Sequence, residues 1–108
     1  VTLCFLTLAL CFSVQNVQAQ DLLKINSVAN EKANELRKVL KFDDNTLEEV
    51  YQAYKAYESK NYSIELNTKN DPQAASKAKI KNREELENKF KALFTEEQFE
   101  AYKLTLVK

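Results

Sequence analysis

The chain contains no glycine, no histidine, no methionine and no tryptophan, and only one proline and two cysteines in 108 residues. Each absence closes off some chemistry. Proteins average about 7 % glycine, and without it the backbone cradles that hold phosphate in P-loop and dinucleotide-binding folds cannot form. Without histidine the commonest general base and metal ligand is gone, so an enzyme would have to run on carboxylates, lysine, tyrosine or hydroxyls. An excess of one charge is lacking too. Lys and Arg number 16 and Asp and Glu number 16, so no net field draws the chain to nucleic acid or to a membrane surface. The composition argues against an enzyme and for a small helical domain.

Residues 1–20 hold no charge, and Leu3 to Val14 form an apolar run of 12, well short of the ~20 residues that span a bilayer. The pattern is that of a signal peptide. Polar residues follow the run, and then Val17-Gln18-Ala19 places modest or small side chains where a signal peptidase inspects them. Cleavage is expected after Ala19, leaving residues 20–108 as a single domain in a secreted or periplasmic setting with no stable membrane insertion. The positively charged leading segment is missing and residue 1 is Val, which predicts a start inside the gene product. Cys4 and Cys11 both fall in the leading segment, where they read as apolar filler. Leu10 is too large to precede an acylated Cys11, and the domain is left with no disulfide.

Beyond Asp21 the apolar residues recur at helical spacing. Leu22, Ile25, Ala29, Ala33, Leu36 and Leu40 lie three and four apart and predict a helix over 21–41. Leu47, Val50, Tyr51, Tyr54, Tyr57 and Ile64 fall within an arc of about 120° and predict a second over 44–66. Asn67 to Pro72 is rich in turn formers, and Asp71 before Pro72 is a cap with proline at the first helical position. The third helix starts there, with Ala75, Ala78, Ile80, Leu86, Phe90 and Leu93 as its apolar face and Glu85–Lys89 and Glu87–Lys91 as i,i+4 pairs. A short fourth, over 96–107, presents Phe99, Tyr102 and Leu106. No segment alternates as a half-buried strand does, so the expected fold is all-α, four amphipathic helices and no sheet.

The hexamer Phe94-Thr95-Glu96-Glu97-Gln98-Phe99 carries the most information. Thr95 can accept from the Gln98 amide while the Gln98 side chain accepts from the Thr95 amide, a reciprocal capping box, and Phe94 and Phe99 can close over it as a hydrophobic staple. An earlier helix start repeats the design, with Phe42 before the cap Asp43 and Leu47 at the position of Phe99.

In this motif the chain resembles the LTXXQ family of small bacterial periplasmic proteins, the Spy/CpxP-like group, which carries two such motifs at helix starts. The second copy here has Phe94 for the leading Leu; the first, Phe42-Asp43-Asp44-Asn45-Thr46, keeps only the cap and staple positions. The resemblance implies an all-helical hairpin arrangement, frequent dimerisation, and binding of unfolded clients or restraint of envelope-stress sensors. Relatives that bind metal do so through His or Met, and this chain has neither. A soft-metal role is therefore disfavoured.

Three clusters are candidates for function. Tyr51, Tyr54, Tyr57 and Tyr62 suit contact with apolar segments of another chain, although core packing is the preferred reading because the stripe coincides with the helix's buried face. Lys77, Lys79, Lys81 and Arg83 make two adjacent helical faces basic, which could steer an acidic partner or serve as a solvated face. The basic run has no interleaved aromatics, which argues against single-stranded nucleic acid. Asp43, Asp44, Glu48 and Glu49 gather at a helix start, where the helix dipole alone accounts for them; no glycine is present to turn a calcium loop. The expected function is an ATP-independent binding protein that holds non-native or partner polypeptides, needs no cofactor and forms a homodimer. The alternative is a regulatory subunit docking on a membrane sensor's periplasmic domain. A carboxylate-dependent hydrolase ranks last.

Overall fold

Four α-helices follow one another in a computed structural model that describes residues 2–107, with side chains described from residue 21 onward: α1 (Thr2–Leu40), α2 (Asp44–Asn67), α3 (Pro72–Leu93) and α4 (Glu96–Thr105). No strand occurs among the described residues. The expected signal peptide, residues 1–19 with Cys4 and Cys11, lies outside the described side chains. Three helix starts match expectation to the residue, whereas α1 runs on from Thr2 and does not begin at Asp21.

The helix ends are capped in ways the sequence specifies. Asp43 Oδ1 accepts from the Thr46 amide at 2.8 Å and Asp71 Oδ1 from the Ala74 amide at 3.1 Å. At α4 the capping box is complete: the Gln98 amide donates to Thr95 Oγ1 at 3.1 Å, and the Thr95 amide to Gln98 Oε1 at 3.0 Å. The cap on α2 holds the Asp43 carboxyl below its ordinary range, because the amide of Thr46 favours the charged form. Lys41, at φ 56°, closes α1 by donating its amide to the Arg37 carbonyl. In a chain without glycine a lysine takes this left-handed position, at a cost of about 1 kcal/mol.

A helix of 10 residues is marginal alone, so α4 depends on its cap. Thr95→Ala should cost ~1 kcal/mol, read as a lowered urea midpoint. Any loss of binding by this variant should recover on cooling. If Thr95→Ala instead melts like the wild type yet no longer binds, the motif is a contact surface and not a cap.

α2 is the central element. α1 packs along one side of it and α3 along another, α4 folds back against both α1 and α3, and the backbones of α1 and α3 do not approach each other among the described residues. Ala29 and Ala33 on α1 are fully buried and Ala53 on α2 nearly so, and these small side chains let the two helices approach closely. The centre of the core is Phe90, which meets Tyr54 edge-on at 5.2 Å, Phe94 stacked at 5.0 Å and Tyr102 edge-on at 4.9 Å. Phe42 stacks on Phe94 at 5.8 Å, so the two residues that precede the caps of α2 and α4 meet each other. Phe99 lies 6.0 Å from Tyr102, which itself contacts Phe94. Leu47 packs at the edge of the same cluster.

Four expected details are corrected. Ile80 is 56 % exposed, and Asn82, only 3 % exposed, takes the buried position. The buried stripe of α3 follows Asn82, Leu86 and Phe90, every fourth residue, and Ile80 points about 200° away from Asn82. Leu106 is exposed because α4 ends at Thr105, whose hydroxyl donates to the Tyr102 carbonyl. Leu22 is exposed as well. Glu85 forms its ion pair with Lys60 of α2, at 2.8 Å, and not with Lys89, and the Lys60 ammonium keeps its carboxyl below the ordinary range.

Candidate functional site

Because the backbones of α1 and α3 stay apart where they flank α2, the surface of α2 between them is left as the floor of a groove of about 920 Å³. Tyr54 and Tyr57 form that floor. Leu36 and Val39 line it from α1 and Leu86 from α3, while Ala101, Tyr102, Leu104 and Leu106 close it from the α4 side. Part of the rim is apolar and open to solvent: Val39 is 55 % exposed and Leu104 73 %. Exposed apolar side chains set beside an apolar trench, in a chain too small to bury all of its hydrophobic surface, are the features of a contact site.

Cations edge the groove. The Lys32 ammonium lies 5.9 Å from the Tyr54 ring centre and 5.7 Å from that of Tyr57, and is anchored to Glu58 at 2.5 Å. Its charge therefore favours the negative faces of both rings. Burial, helped by Tyr102, Glu35 and Glu58, pushes the Tyr54 phenol well above its ordinary value; burial and Glu87 push Tyr102 up to about 12, against a small opposing effect of Arg83. Both phenols are neutral at physiological pH. None of the Tyr54, Tyr57 and Tyr102 hydroxyls is bonded to a described residue, which leaves each able to donate to a bound chain.

The position of α3 on this floor is set by a buried amide. Asn82 Nδ2 donates to the Tyr57 carbonyl and to Asn61 Oδ1, both at 2.9 Å. A buried amide left without partners costs about 1–3 kcal/mol, so α3 is held in the one register that satisfies it. That register places Arg83, the next residue, at the groove.

Of the residues named from sequence, the structure brings Tyr54, Tyr57 and Arg83 together in the groove. Tyr51 packs half-buried against the core, and Tyr62 is exposed with its hydroxyl donating to Asp21. Lys79 pairs with Glu65 at 3.4 Å and lines a shallower trough; Lys77 and Lys81 are exposed outside the groove. Phe42, Asp43, Leu47, Phe94, Thr95, Gln98 and Phe99 build helix starts and the aromatic core, and none of them lines the groove. Sequence reasoning missed Val39, Leu104 and Asn82. Each had a signal: Val39 and Leu104 are apolar residues off the buried stripe of their helix, and Asn82 is a polar residue on it.

Among the described residues no three His, Cys, Asp or Glu side chains gather as a metal site, and no helix is long and apolar enough to cross a membrane. No family model matches the chain, and neither a curated protein nor a solved structure matches it.

Proposed function

We propose that the protein is an ATP-independent binding protein that holds non-native or partner polypeptides in its groove, in the manner of the LTXXQ family and in a secreted or periplasmic setting. The observation that carries this reading is the open trench floored by Tyr54 and Tyr57 and rimmed by the exposed side chains of Val39 and Leu104. Tyrosine offers a large apolar face at low conformational cost together with a polar tip, which suits varied segments of another chain. The complete capping box of Thr95 and Gln98 is consistent with the family, and the uncharged leading segment supports the setting.

The test is light scattering from a reduced, aggregating client protein with the purified domain added at a stoichiometric amount. Suppression without ATP is expected, and the double variant Val39→Asp, Leu104→Asp should lose it while keeping its helical spectrum, since both side chains are exposed. Undiminished scattering with the unaltered protein would refute the reading; tight capture by a sensor's periplasmic domain in the same preparation would favour the regulatory alternative.

A further inference from the structure

The groove carries charge information besides apolar surface. Among the described residues its cations are Lys32, Lys38 and Arg83, against the single acid Glu35. Lys32 is committed to Glu58, whereas Lys38 and Arg83 have no ion-pair partner among the described residues. Arg83 also lines a second, shallower trough of about 430 Å³ that runs along α3 past Ile80 and Lys79 to Pro72. Arg83 is thus common to the walls of both depressions, which follow one another along α3 as a track. From Leu86 to Pro72 the helix rises about 21 Å, room for about six extended residues, and exposed Ile80 keeps the far half of the track apolar. Lys79 beside it is held to Glu65 by the longest of the described ion pairs, 3.4 Å.

Resting on the polypeptide-binding reading above, we infer that this track selects polypeptide segments in which carboxylates flank apolar side chains. The apolar side chains of such a segment cover Tyr54, Tyr57 and Leu86. Its carboxylates meet Arg83 on one wall and Lys38 on the other, and Arg83 offers a planar fork of donors that matches a carboxylate in two parallel hydrogen bonds. A segment flanked by lysines brings like charges against the same two side chains, and like-charge juxtaposition disfavours the wrong partner. The chain's overall neutrality hides this local preference.

Two fluorescent peptides with the same apolar centre, one flanked by glutamates and the other by lysines, separate the possibilities in anisotropy titrations with the full chain. The glutamate peptide is expected to bind about tenfold tighter at low salt, as several exposed ion pairs acting together would give. The ratio should approach unity near ~1 M salt, where the screening length falls to about 3 Å. The double variant Arg83→Gln, Lys38→Gln should abolish the preference and leave the helical spectrum unchanged, because both side chains are exposed. Equal affinity for the two peptides, or a preference that survives in the double variant, overturns the charge selection and leaves the holding function standing. Failure to bind either peptide overturns both. Binding to vesicles containing about one third phosphatidylglycerol, with neither peptide bound, reassigns the track to a lipid surface and overturns the inference.

Discussion

Phe90→Ala is expected to remove about 3–5 kcal/mol of stability, the range for truncating a fully buried phenylalanine. Phe90 is 0 % exposed and is the ring on which Tyr54, Phe94 and Tyr102 converge. Its loss opens a cavity and also ends three aromatic contacts, each worth about 0.5–1.5 kcal/mol beyond burial. Domains of this size hold about 5–10 kcal/mol in total, so the variant loses at least about a third of it. The groove should fail with it, since Tyr54 and Tyr102 line the trench and rest on the Phe90 ring. Phe99→Ala should cost less, about 2 kcal/mol, because that ring is half-buried at the edge of the cluster. Urea unfolding followed by circular dichroism measures both. A Phe90→Ala loss below that of Phe99→Ala would mean that the core is centred elsewhere.

The second large effect is alkaline unfolding. In the folded protein the Tyr102 phenol is pushed up to about 12 and Tyr54 is raised further, both by burial, while Tyr62 is raised by its hydrogen bond to Asp21. An unfolded tyrosine releases its proton near pH 10. Between that pH and the folded values the unfolded chain holds fewer protons, so stability falls as pH rises. The stabilisation is complete below about pH 10 and is lost progressively toward pH 12 and beyond. A gap of two units is equivalent to ~2.7 kcal/mol, but the Tyr102 hydroxyl reaches the groove, and solvent there reduces its share to about 1 kcal/mol. With Tyr54 the combined loss should be about 2–4 kcal/mol. Urea midpoints compared at about pH 9 and about pH 11 test this, a window in which about 1–2 kcal/mol of the loss should already appear. Tyr102→Phe should be nearly neutral at the lower pH and should flatten the decline. A decline unchanged in that variant, and in Tyr54→Phe, would place the alkaline sensitivity elsewhere.

The four helices were legible because their signals are local. Asp43, Asp71 and Thr95 each offer an acceptor to an amide three residues ahead, and the caps form as the spacing requires. The apolar stripe of α2 was found for the same reason, since Val50, Tyr54, Tyr57 and Ile64 recur at the helical period, and α4 keeps Phe99 and Tyr102 of its expected stripe but not Leu106. The stripe of α3 was misread at Ile80 because periodicity counts apolar residues, and the position that is buried belongs to an asparagine. Burial of Asn82 is affordable only because Asn61 and the Tyr57 carbonyl stand opposite it on α2. No window of one helix contains that fact.

The sequence by itself determined where α2, α3 and α4 begin, which residues cap them and that the fold is all-α, because capping and amphipathic spacing act within a turn or two of backbone. It also determined that glycine- and histidine-dependent chemistry is absent. Only the tertiary structure decided that Phe42 stacks on Phe94, that α1 and α3 stand apart over α2, and that Val39, Tyr57, Arg83 and Leu104 share one trench. Those residues come from four different helices. Their meeting depends on how the close-packed core, with the satisfied buried amide of Asn82, sets the helices against one another.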